Sequence, residues 1–345
     1  MKLRHTLVAL LYVIHAGFFV ARVDAQEVVL KVHHLLPPVA TGHAKLIAPW
    51  CERLAKDSGG RLKCQIYPAM QLGGTSAQLF DQVKDGVADV TWGVTGYTPG
   101  RFPKVEVFEL PFIITNAIAS SQAIFEFVQR YDQDEFRDVH PLAFHQHGPA
   151  VFHMRDIPVN TLADLKGRKV RAPTRVTNKL LADLGATPVG ILAPQVPEAL
   201  SKGVVDGVLF PWEVVPAFKI DELTRYHSET DPKYNQLYSS VFFFAMNRRK
   251  YDALPVELRK VLDANSGMEL TTRFARAFLD GDVAGRDAAI KAGGRFNTIP
   301  ATELEKWRTL AQPVVDGWVK DVTDKGHDGK KLLEAARALI AKYTK

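Results

Sequence analysis

From Val28 to Trp92 the hydrophobic period of the chain alternates between that of a strand and that of a helix. Val28 to His34 reads as a buried strand. Leu46, Ile47, Trp50 and Leu54 then recur at helical spacing between about Gly42 and Lys56, and Ser58-Gly59-Gly60 ends that helix. Arg61 to Tyr67 alternates, with Leu62, Cys64 and Ile66 on one face. Ser76 to Lys84 predicts a short helix closed by Gly86, and Ala88 to Trp92 a further strand. Strands joined through helices run parallel, so this order implies a parallel sheet with helices on both faces.

A second α/β set follows. Pro141 to His147 and Val151 to Met154 read as extended, Leu162 to Leu165 as one helical turn and Lys169 to Arg171 as a strand. Asn178 to Leu184 predicts a helix ended by Gly185, Pro197 to Ser201 starts another, and Val205 to Phe210 is a strand. Tyr238 to Asn247 is a strongly apolar strand. Pro255 to about Ala292 reads as one long helix, with Leu258, Val261, Leu262, Met268, Phe274, Phe278, Val283 and Ile290 near helical spacing. Gly267, Gly281 and Gly285 are its weak points. A helix of that length suits a brace between two domains, and 345 residues hold two at roughly 150 each. Glu303 to Tyr343 gives two more helices, broken near Gly326–Gly329.

Residues 1–25 stand apart from the fold. Lys2, Arg4 and His5 precede an apolar stretch from Leu7 to Val20, and Val23-Asp24-Ala25 fits a small-residue cleavage site. This is the layout of a secretory signal peptide, with a mature start near Gln26. Its removal takes away Lys2, Arg4, Arg22 and Asp24 from a chain of net charge +6. The remaining positive excess is scattered, without the clustered Lys/Arg of a nucleic-acid binder. No later segment is long and apolar enough to span a bilayer. Export permits a Cys51–Cys64 disulfide, although two small buried thiols fit the pattern equally. There is no Gly-x-Ser-x-Gly elbow, Walker loop or Gly-x-Gly-x-x-Gly, so an enzyme is not expected.

Six motifs in order resemble one family. They are Ser58-Gly-Gly-Arg-Leu-Lys63; Tyr67-Pro-Ala-Met-Gln-Leu-Gly73; Gln82-Val-Lys-Asp-Gly-Val-Ala-Asp-Val90; Glu109-Leu-Pro-Phe112; Leu162-Ala-Asp-Leu-Lys-Gly-Arg-Lys-Val-Arg-Ala-Pro173; and Val205-Asp-Gly207 followed by Pro211. The chain resembles the periplasmic solute-binding proteins of tripartite ATP-independent periplasmic (TRAP) transporters, of the DctP type. That resemblance implies a two-lobed α/β periplasmic-binding-protein fold, each lobe a mainly parallel sheet flanked by helices, with a long helix spanning both. It implies lobe I at 26–148 plus 239–280 and lobe II at 149–238 plus 281–345. It also implies a monomeric periplasmic protein, not itself membrane-embedded, that hands a small organic acid to TRAP membrane permease subunits. A sensor subunit that presents an organic acid, or a periplasmic enzyme, are the competing readings.

Arg171 matches the family's ligand-gripping arginine in Lys-Val-Arg-Ala-Pro. A guanidinium offers planar paired donors that match a carboxylate. Sugar-acid binders of the family carry a second arginine, which aligns near Val151, and a Glu-Asn pair where this chain has Leu209-Phe210. A metal-bridged subset carries an acid at the position of Leu209. Phe210 and Trp212, with Trp92 and Tyr97 opposite, instead imply an apolar or aromatic body on a monocarboxylate. Thr95, His34 and His147 are expected as hydrogen-bonding groups in the cleft, and Arg175 as a second cation near it. No His/Asp/Glu set has metal-ligand spacing, so neither metal nor cofactor is expected.

Overall fold

The first sheet is built on β1 (Val28–His34), which lies parallel between β2 (Leu62–Tyr67) and β3 (Val90–Val94), with Val28 opposite Leu62 and His34 opposite Trp92. The computed structural model describes residues 27–344; the leader assigned to residues 1–25 lies outside them. β4 (Val139–His145) completes the first half of the chain. β5 (Val151–Met154), β6 (Lys169–Ala172), β7 (Thr187–Gly190), β8 (Gly207–Phe210) and β9 (Tyr226–Thr230) follow, then β10 (Phe242–Asn247) and β11 (Arg295–Ile299).

The two sheets have the orders β2-β1-β3-β10-β4 and β11-β9-β5-β8-β6-β7. Each keeps the expected parallel block and adds one strand antiparallel to both neighbours: β10 in the first sheet and β5 in the second. Every residue of β10, Phe-Phe-Phe-Ala-Met-Asn, is buried. Its continuous apolar run fits a strand covered on both faces. The chain passes between sheets after β4, after β9, and again through the long helix into β11, giving two lobes.

The helix expected over Pro255–Ala292 is two helices, Val256–Ala264 and Gly267–Lys291. Gly267 adopts φ +80°, which turns the chain. Gly281 and Gly285 do not break the second helix. A side-chain carbon on Gly285 would stand 1.9 Å from the Trp212 carbonyl oxygen, and one on Gly281 would stand 2.9 Å from Thr41 Oγ1. These glycines let the helix press against the Trp212–Glu213 backbone on the second-lobe side, while it also packs on β4 and on the helix Ala117–Tyr131.

The C-terminal region holds three helices, not two: Ala301–Leu310, Gln312–Asp324 and Gly329–Tyr343. The extra break falls at Ala311, two residues before Pro313. The last helix packs on Ala117–Tyr131, where Lys342 and Tyr343 both bond Glu126. Cys51 and Cys64 are joined by a disulfide with a Cα separation of 5.6 Å, tying the helix Ala48–Asp57 to β2. No helix among the described residues is long and apolar enough to cross a membrane.

Candidate ligand-binding site

Arg171 comes from β6, which runs parallel to both β7 and β8. Pro173 follows the strand and cannot donate to a ladder, so β6 stops at Ala172 and its C-terminal end opens toward the crevice, the usual ligand position of α/β sheets. The Arg171 side chain is fully buried. Its Nε donates to the Ile191 carbonyl at 2.8 Å and Nη1 to the Leu209 carbonyl at 3.1 Å. Its guanidinium carbon lies 4.3 Å from the centre of the Phe210 ring. Nη2 is buried and has no hydrogen-bond partner. Among the described residues no carboxylate pairs with Arg171, whereas Arg175 is clasped by Glu106 and Asp321. A buried cation without a counter-ion is costly. Here the charge is fixed in direction by two carbonyls and a ring, but it is not neutralised.

The guanidinium faces a mainly apolar cavity of about 40 Å³. Trp92 and Phe242 stack at 5.0 Å with planes 7° apart and form one wall. The Trp92 indole N–H donates to His145 Nε2 at 2.8 Å, so it is already satisfied. Gly42 allows this packing, because a Cβ there would meet the indole at 2.9 Å. The Tyr97 hydroxyl accepts from the Ala193 N–H at 3.3 Å. The Tyr238 hydroxyl donates to the Leu209 carbonyl at 3.2 Å, sharing that acceptor with Arg171. Glu213 also lines the cavity.

Five of the expected residues meet here: Arg171, Phe210, Trp92, Tyr97 and His147 all line the cavity. His147 does so without a free nitrogen. Its Nδ1–H donates to the Gly148 carbonyl at 2.7 Å and its Nε2 accepts from the Ser240 N–H at 3.0 Å. Burial, aided by the Arg171 charge and opposed by the Gly148 bond, pushes its pKa down to about 4. It is a neutral ring offering surface, not the hydrogen-bond donor expected from sequence.

Four expected residues are not in the lining. The Trp212 indole bonds Glu229 at 2.9 Å and packs edge-on against His153. Thr95 Oγ1 donates to the Val241 carbonyl at 3.3 Å. His34 donates from Nε2 to His43 at 2.9 Å and accepts the Leu36 N–H at 3.2 Å, so both its nitrogens are used. Arg175 reaches across the cleft: its Nε bonds Glu106 Oε1 at 2.6 Å and its Nη1 bonds Asp321 at 3.1 Å. That ion pair joins the helix after β6 to the segment after β3, and so links the two lobes.

Sequence reasoning missed Tyr238, Ser240, Phe242 and Glu213 in the lining. The first three were absorbed into one apolar run, yet their spacing of two puts them on one face of an extended segment. Glu213 had no local signal. Next to the cavity, Glu109 is fully buried. Its Oε1 accepts the Val241 N–H at 3.0 Å, its Oε2 has no partner, and burial pushes its pKa up to about 8.

The sequence profile of bacterial extracellular solute-binding protein family 7 (DctP) matches residues 32–321. A TRAP solute-binding protein from Rhodoferax ferrireducens, solved in complex with copurified benzoate, is 49% identical, with a TM-score of 0.91 covering 92% of this chain and 98% of that one. A marine-metagenome TRAP solute-binding protein specific for aromatic acid ligands, solved with 3-hydroxybenzoate, is 43% identical; its TM-score is 0.91, with 93% of this chain and 100% of that one covered. A TRAP periplasmic solute-binding protein from Bordetella bronchiseptica with bound (R)- and (S)-mandelate is 30% identical, with a TM-score of 0.83, 91% of this chain and 99% of that one.

Proposed function

Because this chain belongs to the DctP family of TRAP-transporter solute-binding proteins, we propose that it captures an aromatic monocarboxylate between its lobes, with the acid group on Arg171. The family is a solute-binding component of transporters, not an enzyme. The observation that carries the ligand reading is the buried Arg171 guanidinium, which has an unpartnered Nη2 and faces an aromatic cavity. A carboxylate supplies the missing acceptor and the missing charge at once. The ring stacks in the space beside Trp92 and Phe242. At about 40 Å³ the cavity is well below the roughly 150 Å³ of an apolar cavity that takes up benzene, so a ring enters only as the lobes and the lining side chains give way. The benzoate, 3-hydroxybenzoate and mandelate bound by the similar proteins support the same class.

Binding between the lobes is coupled to closure through the Arg175–Glu106 pair. A ligand that neutralises Arg171 stabilises the closed state by the difference in its affinity for the two states. The division at 26–148 plus 239–280 and 149–238 plus 281–345 goes with this reading. The exception is the last helix, Gly329–Tyr343, which packs on Ala117–Tyr131 of the first lobe rather than in the second as that division has it. The partners are TRAP permease subunits, and the exported chain works in the periplasm after cleavage near Ala25.

A thermal-shift screen followed by calorimetry tests the class. Benzoate, hydroxybenzoates and mandelate are expected to bind, and succinate and sialic acid are not. Binding of either of the latter pair with no response to aryl acids would overturn the reading.

A further inference from the structure

Two buried polar atoms in the cavity lining have no hydrogen-bond partner: Arg171 Nη2 and Glu213 Oε2. The first is assigned above to the carboxylate. The second belongs to a side chain that is 6% exposed and is held in place from behind. The Glu213 backbone N–H donates to Asp282 Oδ1 at 2.8 Å, and Gly281 and Gly285 let the long helix close against the Trp212–Glu213 backbone. A carboxyl group built into an apolar cavity with one oxygen unsatisfied is either a defect or a receptor for a ligand group.

We propose that Glu213 determines specificity by hydrogen-bonding a hydroxyl group on the ring of the bound aromatic acid. This rests on the reading that Arg171 holds the carboxylate. Among the other polar groups of the lining, Trp92 is committed to His145, Tyr238 to Leu209 and His147 to Gly148 and Ser240, whereas the Tyr97 hydroxyl accepts from Ala193 and keeps its own proton free, and the Ser240 hydroxyl is also open. Arg171 sits on β6 and Glu213 on the turn after β8, so the two orphaned atoms come to the lining from different elements. Burial, reinforced by Asp282, holds the Glu213 carboxyl well above the usual carboxylate range. A neutral acid both donates and accepts, which matches a hydroxyl. A site built to pair with a hydroxyl discriminates against the analogue that lacks it, because its own buried group is then left unpaired.

The test is calorimetry of the mature chain with benzoate and with 2-, 3- and 4-hydroxybenzoate, for the wild type, Glu213→Gln and Glu213→Met. The best hydroxybenzoate isomer is expected to bind the wild type about tenfold more tightly than benzoate, one hydrogen bond's worth. Glu213→Met should bring the two acids within about twofold while keeping or improving benzoate affinity, which also reports that the variant folds; Glu213→Gln should retain most of the preference. Persistence of the preference in Glu213→Met, or no preference for any isomer in the wild type, overturns the assignment while leaving the Arg171 reading intact. If no aryl acid binds the wild type, the Arg171 reading falls and this one with it.

Discussion

The Arg171 guanidinium carbon stands 4.3 Å from the centre of the Phe210 ring, while its Nη1 bonds the carbonyl of the preceding residue, Leu209. Strand β8 therefore supplies both an aromatic platform and an acceptor. Neither group carries a negative charge, so the cation is oriented but not quenched. A ligand carboxylate meets a preorganised donor and has no internal ion pair to displace.

Replacing Arg171 by methionine should separate binding from folding. Loss of the grip is expected to weaken aryl-acid binding by roughly 2–5 kcal/mol. The same change removes an uncompensated buried charge, so the ligand-free variant should melt at or above the wild-type temperature. Calorimetry and thermal melts of the two proteins check both halves.

The Arg175–Glu106 pair should act on closure. Arg175 is one-third exposed, so the pair is worth only about 1 kcal/mol. Arg175→Ala and Glu106→Gln should each weaken ligand binding several-fold, mostly through faster release, and the double variant should be no worse than either single one. Stopped-flow release of a fluorescent or competed aryl acid measures this.

Glu109 should make stability pH-dependent. Its native pKa of about 8 lies above the ordinary 4.5 because of burial. The native state thus holds a proton that the unfolded chain releases above about pH 4.5. The contribution is full below that pH and is lost as pH rises through 8. Buried histidines pull the other way: burial lowers His145 to about 3 and His147 to about 4, so the native state loses stability as pH falls below 6.5. The clean comparison is therefore Glu109→Gln against the wild type. The variant's advantage should be near zero at pH 4.5 and grow toward pH 8.5, by on the order of a few kcal/mol, in urea melts.

The Cys51–Cys64 disulfide closes a short loop, with a sequence separation of 13. A loop of that size contributes roughly 3 kcal/mol by restricting the unfolded chain. Reduction, or Cys51→Ala with Cys64→Ala, should lower the melting temperature without changing aryl-acid affinity, because the bridge lies on the outer strand β2, away from the cavity.

The parallel strands β1, β2 and β3 of the first sheet and β6 and β8 of the second were legible because they are apolar and punctuated by glycine: Val28–His34 is β1 as read, and Gly86 closes the helix before β3 at φ 83°, whereas β7 and β11, half-exposed and mixed in polarity, were not read. The helix Ala117–Tyr131 was not, because its buried face includes Ser120, Ser121 and Glu126. Their partners, Asn116 and Ala117 carbonyls, Gln146, Lys342 and Tyr343, come from the cap and from distant segments. β9 carries Tyr-His-Ser-Glu-Thr; its buried His227 Nδ1 bonds His153 and its Ser228 bonds Val159 and Asn297, which hydropathy does not register, while His227 Nε2 has no partner. In the cavity, Arg171 and Phe210 could be anticipated from a strand end. The exchange of Trp212 for Glu213 could not. A short 3₁₀ turn after Pro211 directs successive side chains about a third of a turn apart, and Glu213 and Val214 line the cavity while Trp212 does not.

A crystal structure of the mature chain with benzoate tests the central claim most directly. The expected result is a carboxylate oxygen within hydrogen-bond distance of Arg171 Nη2, with Nε and Nη1 still on Ile191 and Leu209 and the ring beside Trp92 and Phe242. A benzoate bound elsewhere, or held in this cavity with its carboxylate turned away from Arg171, would contradict it.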